Sequence, residues 1–373
     1  MTTTLQSKQF QLFGSLFLLI AVGLIVLFSA SYPRANVLFG DSFYFVRRQL
    51  IWISIGVLAG IGLQLIPLSV LRRISPFLMG LSILALCLPL IPGIGVSVLG
   101  ARRWISIFSY TLQPSEFVRL PLIFYLAHML SKKKEQMDDF YNTVLPLLCV
   151  IFAVSAIIYL QNDFSSAVFI MFVSFSILFV GGLRLRYILA CMVSSIPLIV
   201  VFLFTHEYRV RRLLAYFFPE MDVSGTGFQA YIAKDAIARG GLFGLGIGQS
   251  VSKQGVLPEA HSDFLAAILF EEMGLFGLLG LITLFALFAY LGYTISMGAR
   301  TDFIALSAFG ITTFIVLQTL VNLAVVCNLL PTTGLPLPFF SAGGSSIVNS
   351  IMLGAMLIKL SLASNGEGIE NHA

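Results

Sequence analysis

Leu12–Ser29, LFGSLFLLIAVGLIVLFS, carries no charged side chain. At about 1.5 Å of rise per helical residue, such a run crosses a hydrocarbon core about 30 Å thick. It is also longer than the roughly 7–15-residue apolar core of a secretion signal, so it is expected to persist as a first membrane span over 11–30. Working outward, similar runs recur at 49–67, 76–95, 115–130, 142–160, 161–183, 187–205, 264–296, 303–327 and 347–363. Hydrophobic residues make up 58% of the chain and charged ones 10%, against about 25% charged in an ordinary soluble domain. The pattern implies an all-α polytopic membrane bundle of about ten spans, one domain over 1–373, without internal repeats and without a nucleic-acid partner.

Local signals refine the spans. Pro89 and Pro92 are expected as kinks that neighbouring helices tolerate. Ser115 is expected to cap the helix that follows. Phe264–Ser296 is too long for one upright crossing, so its first part, through Glu271 and Glu272, is expected to lie tilted or near the interface. Cys87, Cys149, Cys191 and Cys327 all fall inside apolar runs and are expected as buried packing residues.

Orientation follows from the 22 Lys and Arg residues. With both termini cytoplasmic, ten of them (Lys8, Arg72, Arg73, Lys132, Lys133, Lys134, Arg184, Arg186, Arg300 and Lys359) fall inside. The other twelve lie outside or within spans. Six of those twelve belong to the long 206–262 segment between spans 7 and 8, and long loops translocate largely regardless of charge. Without it the balance is ten to six, which puts both termini in the cytoplasm. Seven arginines then stand against the usual bias: Arg47 and Arg48, Arg102 and Arg103, and Arg209, Arg211 and Arg212. Either a polyanion on that face favours them, or they meet lipid headgroups and loop acids such as Asp41.

The one long polar, glycine-rich passage is Gly240–Phe264, GGLFGLGIGQSVSKQGVLPEAHSDF. Its glycines lack the GxGxxG spacing and the preceding strand of a nucleotide loop, so they are expected to let backbone approach a ligand or another helix. Glu259, His261 and Asp263 could bind a cation, supply a general base, or, for Ser262 and Asp263, cap the next helix. Glu116 and Arg119 share a helical face, and ionisable groups in lipid need partners. They are expected to meet Asp163 in one polar cluster, as catalytic machinery or as bundle glue. In the 331–346 loop, Ser341, Gly343 and Ser345 either permit close helix packing or line a headgroup cavity.

Taken together, GARRWI (100–105, with Trp104), QPSE (113–116), QNDFSSA (161–167), GGLFGLGIG (240–248), LPEAHSDF (257–264), EEMGLFG (271–277) and PTTGLPLPFFSAGGSS (331–346) resemble the SEDS family of FtsW, RodA and SpoVE. The resemblance covers nearly the whole chain, and LPEAHSDF is closer to FtsW and SpoVE than to RodA. Two departures stand out: Arg119 replaces the family's usual lysine, and Phe164-Ser165-Ser166 its usual Leu-Gly-Thr.

The resemblance implies a bacterial inner-membrane glycosyltransferase that polymerises lipid II, of the division type, working with a class B penicillin-binding transpeptidase and other divisome membrane proteins. It implies Asp263 as the catalytic residue. The residues expected to bind substrate are Arg47, Arg48, Arg102, Arg103, Trp104, Glu116, Arg119, Asp163, Arg209, Arg212, Glu259, His261, Ser341, Gly343 and Ser345. The departing diphosphate calls for positive charge, from these arginines or from a divalent cation, Mg or Mn. An elongation- or sporulation-type polymerase, a lipid II flippase and a non-enzymatic scaffold are the alternatives.

Overall fold

The computed structural model describes residues 2–98, 101–107, 110–205, 207–217, 226–253 and 263–364. Its helices are α1 (Thr2–Phe39), α2 (Tyr44–Leu65), α3 (Leu68–Cys87), α4 (Pro114–Phe117), α5 (Arg119–Lys132), α6 (Leu145–Leu160), α7 (Phe164–Val180), α8 (Leu185–Phe204), α9 (Glu207–Phe217), α10 (Thr226–Gly240), α11 (Leu265–Met297), α12 (Asp302–Val326) and α13 (Gly344–Ser364). Among the described residues, seven helical stretches are long and apolar enough to cross a bilayer, and Phe164–Val180 and Leu185–Pro197 are apolar but shorter. A helix stands at each of the expected span positions.

The chain runs between two chemically distinct ends. At one, Arg72 approaches Ser131, Lys134 pairs with Asp302, and Arg184 pairs with Asp138. There too Lys359 of α13 donates to the carbonyls of Leu63, Gln64 and Ile66, closing the C-terminus of α2. At the other end, Arg103 meets the 162–163 turn, the Gln113 N–H donates to Ser345 Oγ, and Arg212 reaches Thr332. Asp263 lies at this second end, away from the Lys132–Lys134 run. In the interior, α12 and α13 are buried along most of their length while α2 and α3 expose broad apolar faces, as lipid-facing helices do.

Several features depart from the sequence expectations. The bundle is not purely helical: residues after α3 form a three-stranded antiparallel sheet of β1 (Gly95–Val98), β2 (Ala101–Ile107) and β3 (Tyr110–Leu112), in the order β1-β2-β3. The third span is therefore α3 and the 3₁₀ turn Leu88–Leu90, ending short of residue 95 because Pro89 and Pro92 cannot continue the ladder. Gln113, not Ser115, occupies the cap position, with Pro114 in the first turn. The 206–262 segment contains two helices, α9 and α10. The four cysteines are free, but Cys149 and Cys327 face outward instead of packing inside.

Two pieces of irregular chain enter the bundle. The 328–343 connection carries Phe339 and Phe340 inward, where they are 2% and 0% exposed beside Phe288 and Phe285 of α11. Helix α11 is broken at Gly274 (φ 61°, ψ −155°). The part before this break, through Glu271 and Glu272, is buried in protein. Glu271 and Glu272 find their partners inside, and non-helical backbone at membrane depth survives only where protein covers it.

The glycine run 240–248 is the cover. Leu245 N–H donates to Glu271 O (2.9 Å), Gly246 N–H to Glu272 O (3.0 Å), and Leu275 N–H to Gly241 O (3.0 Å). A Cβ on Gly244 would stand 2.1 Å from Glu272 O, and one on Gly274 2.5 Å from Gly244 N. Only glycine permits this approach, and both residues adopt positive φ. The expected close backbone approach is real, and its target is another helix.

Candidate functional site

Asp263 occupies the turn that leads into α11. The cap position of that helix is Phe264, without a side-chain capping bond, so Asp263 is not the capping residue; Ser262 lies outside the described residues. The main-chain carbonyl of Asp263 accepts from Asn322 Nδ2 at 3.0 Å, and the same amide donates to Leu335 O at 2.9 Å. The carboxylate faces the 331–338 loop: Oδ2 is 3.6 Å from the point where a Cβ on Gly334 would stand. Across the same loop lies α9, whose Arg212 donates through Nη1 to Thr332 O (3.0 Å) and whose Tyr216 hydroxyl donates to Leu329 O (3.1 Å). A half-buried acid, a guanidinium and a glycine without side-chain bulk thus share one corner. Such a corner can take a proton from a hydroxyl and hold an anion.

A second polar group lies deeper. Arg119 pairs with Glu116, touches Gln318 Oε1 at 3.3 Å, and rests on the Phe314 ring 4.6 Å from its centroid. Both ionic residues are buried, Glu116 at 3% and Arg119 at 2% exposure, as their spacing on one face foresaw. Asp163 acts electrostatically on both, but its direct partner is Arg103, Nη1 to Oδ2 at 3.5 Å. Its Oδ1 accepts from Ser166 N–H and so opens α7. The expected single cluster is thus two linked pairs. Gln318 ties the deeper one to the loop by donating through Nε2 to Pro336 O at 2.7 Å.

The remaining candidates scatter around this core. Arg47 is exposed and pairs with Asp41, the bland reading of its charge. Arg48 lies over Tyr110 (5.6 Å to the ring centroid), which also meets Trp52 edge-on. Arg102 is exposed on β2, and Trp104 carries Arg103 over its ring at 5.9 Å. Ser341 Oγ accepts from Leu337 N–H, its carbonyl accepts from Gln49 and from Gly343 N–H, and Ser345 Oγ accepts from Gln113 N–H. These groups brace the loop from within. Arg209 belongs to α9; Glu259 and His261 lie outside the described residues.

Four residues at this end carry structure that the sequence reading did not single out for function: Gln318, Asn322, Lys253 and Ser29. Gln318 and Asn322 were hidden in an apolar run, where a polar residue four positions after another was the available signal. Lys253 Nζ lies 2.7 Å from Glu272 Oε1, and Ser29 Oγ donates to the same carboxylate. The neighbouring Glu271 accepts from Ser250 Oγ and from Ser252 N–H.

Of the three residues offered as cation ligands, Asp263 is described, whereas Glu259 and His261 lie outside the described residues. Among the described residues no three His, Cys, Asp or Glu groups converge as metal ligands.

Residues 10–366 match the family model described as cell cycle protein, FtsW, RodA and SpoVE. The chain is 37% identical to a probable peptidoglycan glycosyltransferase FtsW of Geobacter metallireducens, over 97% of this chain and 98% of that protein. It is 36% identical to stage V sporulation protein E of Bacillus subtilis, over 97% and 99%. Its fold is similar to a chain of a peptidoglycan synthase complex that coordinates polymerization and crosslinking (TM-score 0.78, 26% identity, 96% and 98% coverage). It is likewise similar to the rod shape determining protein RodA of Thermus thermophilus (TM-score 0.70, 24% identity, 94% and 95% coverage).

Proposed function

This chain belongs to the family of the cell cycle proteins FtsW, RodA and SpoVE, and we propose that Asp263 is the general base of its peptidoglycan glycosyltransferase reaction. The substrate is lipid II. The 4-hydroxyl of an acceptor GlcNAc attacks the anomeric carbon of a donor MurNAc. The new O4–C1 bond forms as the bond from C1 to the diphosphate oxygen breaks, with inversion at C1. The hydroxyl proton passes to the Asp263 carboxylate, which returns it to water. Undecaprenyl diphosphate leaves with the bonding electrons. An alcohol is a weak nucleophile at neutral pH, and this proton transfer is what a positioned carboxylate supplies. Arg212, bonded to the loop that Asp263 faces, and Arg103 bring the cationic charge a departing diphosphate needs.

One observation carries the reading: the Asp263 carboxylate opens toward Gly334 and the Arg212-bound loop, at the end of the bundle opposite Lys132–Lys134. By the positive-inside tendency the Lys132–Lys134 end is cytoplasmic, so in this reading both termini are cytoplasmic and Asp263 is on the outer face of the bacterial cytoplasmic membrane. Incubating the purified full-length chain with fluorescent lipid II in detergent tests the assignment. Glycan strands are expected; a flippase would make none without a membrane, and a scaffold none at all.

The division role and a class B penicillin-binding transpeptidase as partner extend this reading. Depletion is expected to give filaments, whereas spheres would indicate elongation. Co-purification of the transpeptidase with the tagged chain checks the pairing.

A further inference from the structure

Gln318 and Asn322 stand one turn apart on the same face of α12, each 1% exposed. The loop they face reads Leu335-Pro336-Leu337-Pro338. Its prolines have no N–H, so this stretch is short of donors for its own carbonyls. The two amides provide them on successive residues: Asn322 to Leu335 O at 2.9 Å, Gln318 to Pro336 O at 2.7 Å. Each amide makes a second contact that has nothing to do with the loop. Asn322 also donates to Asp263 O at 3.0 Å, and Gln318 also accepts from Arg119 Nη1 at 3.3 Å.

We propose that Gln318 and Asn322 are positioning residues for glycosyl transfer: together they fix the Asp263 main chain against the Leu335–Pro336 backbone and register both on the buried Glu116–Arg119 pair. The inference rests on Asp263 being the base. Two carbonyls from distant segments on one NH₂ group set the spacing between those segments within hydrogen-bond tolerance. That spacing determines how far the Asp263 carboxylate stands from Gly334, and hence from any hydroxyl held there. Both amides are buried behind the backbone they hold. Their effect belongs on the chemical step, because a small misplacement of a general base slows turnover while leaving binding alone.

The substitution that separates this role from mere packing is Asn322→Asp, which keeps shape and volume but turns the donor into an acceptor facing two carbonyl oxygens. Gln318→Glu does the same toward Pro336 O while keeping the acceptor for Arg119. The full-length chain, with and without the class B transpeptidase, is assayed for lipid II polymerisation, and thermal unfolding is recorded alongside. Asn322→Asp is expected to lower kcat about 100-fold. Its KM for lipid II should stay within about two-fold of wild type. Gln318→Glu should fall in the same direction by less, and the double variant should lose less than the product of the two single losses, since both act through one register. An unchanged kcat in both folded variants overturns the proposal, and so does a parallel change of kcat and KM. If Asn322→Asp does not fold, Gln318→Glu decides alone by the same criteria. A wild-type protein that makes no polymer overturns the glycosyltransferase reading itself, whereas active wild type with fully active variants overturns only this inference.

Discussion

Lys253 and Glu272 form a buried ion pair, 2.7 Å from Nζ to Oε1, with the ammonium 5.0 Å from the Tyr32 ring centroid and the carboxylate also taking the Ser29 hydroxyl. The pair joins the glycine strap to the buried half of α11 and to α1. Removing one partner leaves the other charged and desolvated. Lys253→Met is therefore expected to cost about 3–5 kcal/mol, and Lys253→Met with Glu272→Met to recover much of that. Thermal unfolding in detergent compares the three proteins; a double variant no more stable than the single one would refute the pairing.

The strap depends on backbone contact that a methyl group forbids. Gly244→Ala and Gly274→Ala each place a Cβ within 2.5 Å of another segment's backbone at positive φ. Each should lose about 1–3 kcal/mol from backbone strain alone, with more from the overlap. Gly280→Ala, where nothing lies within 4 Å, is the control and should unfold at the wild-type temperature or slightly above.

Arg119 serves three partners at once: Glu116, Gln318 Oε1 and the Phe314 face. Arg119→Ala strands the Glu116 carboxylate in the interior and is expected to cost about 3–5 kcal/mol. Arg119→Lys keeps the charge but loses the flat stack and the fork that spans two acceptors. It should fold, about 1–2 kcal/mol less stable. Unfolding curves separate the two outcomes, and equal stability of Arg119→Ala and wild type would contradict the buried-pair account.

How much was legible in the sequence depends on the distance over which each signal acts. Apolar run length is local, so the helices of the bundle could be placed from it, and the pairing of Glu116 with Arg119 followed from their three-residue spacing. Asp163 was placed near that pair, but its direct bond to Arg103 crosses from β2 to the 162–163 turn, and nothing in either segment names the other. Lys253 and Glu272 are 19 positions apart across a reversal of the chain, and Ser29 is 243 positions from Glu272. No periodicity links them. The sheet at 95–112 escaped because its strands are short, and its glycines and the flanking Pro92 and Pro114 signal only a break in helix. The break at Gly274 was masked by apolar residues on both sides, which suit a kinked helix as well as a straight one.

The central claim is that the Asp263 carboxylate takes the acceptor's proton at the outer end of the bundle. Asp263→Asn preserves shape and hydrogen-bonding groups but is a far weaker base. Turnover of fluorescent lipid II by the folded variant is the most direct measurement. A fall of about 100-fold or more in kcat, with lipid II still bound and the unfolding temperature unchanged, is the predicted result; polymerisation at the wild-type rate would contradict it.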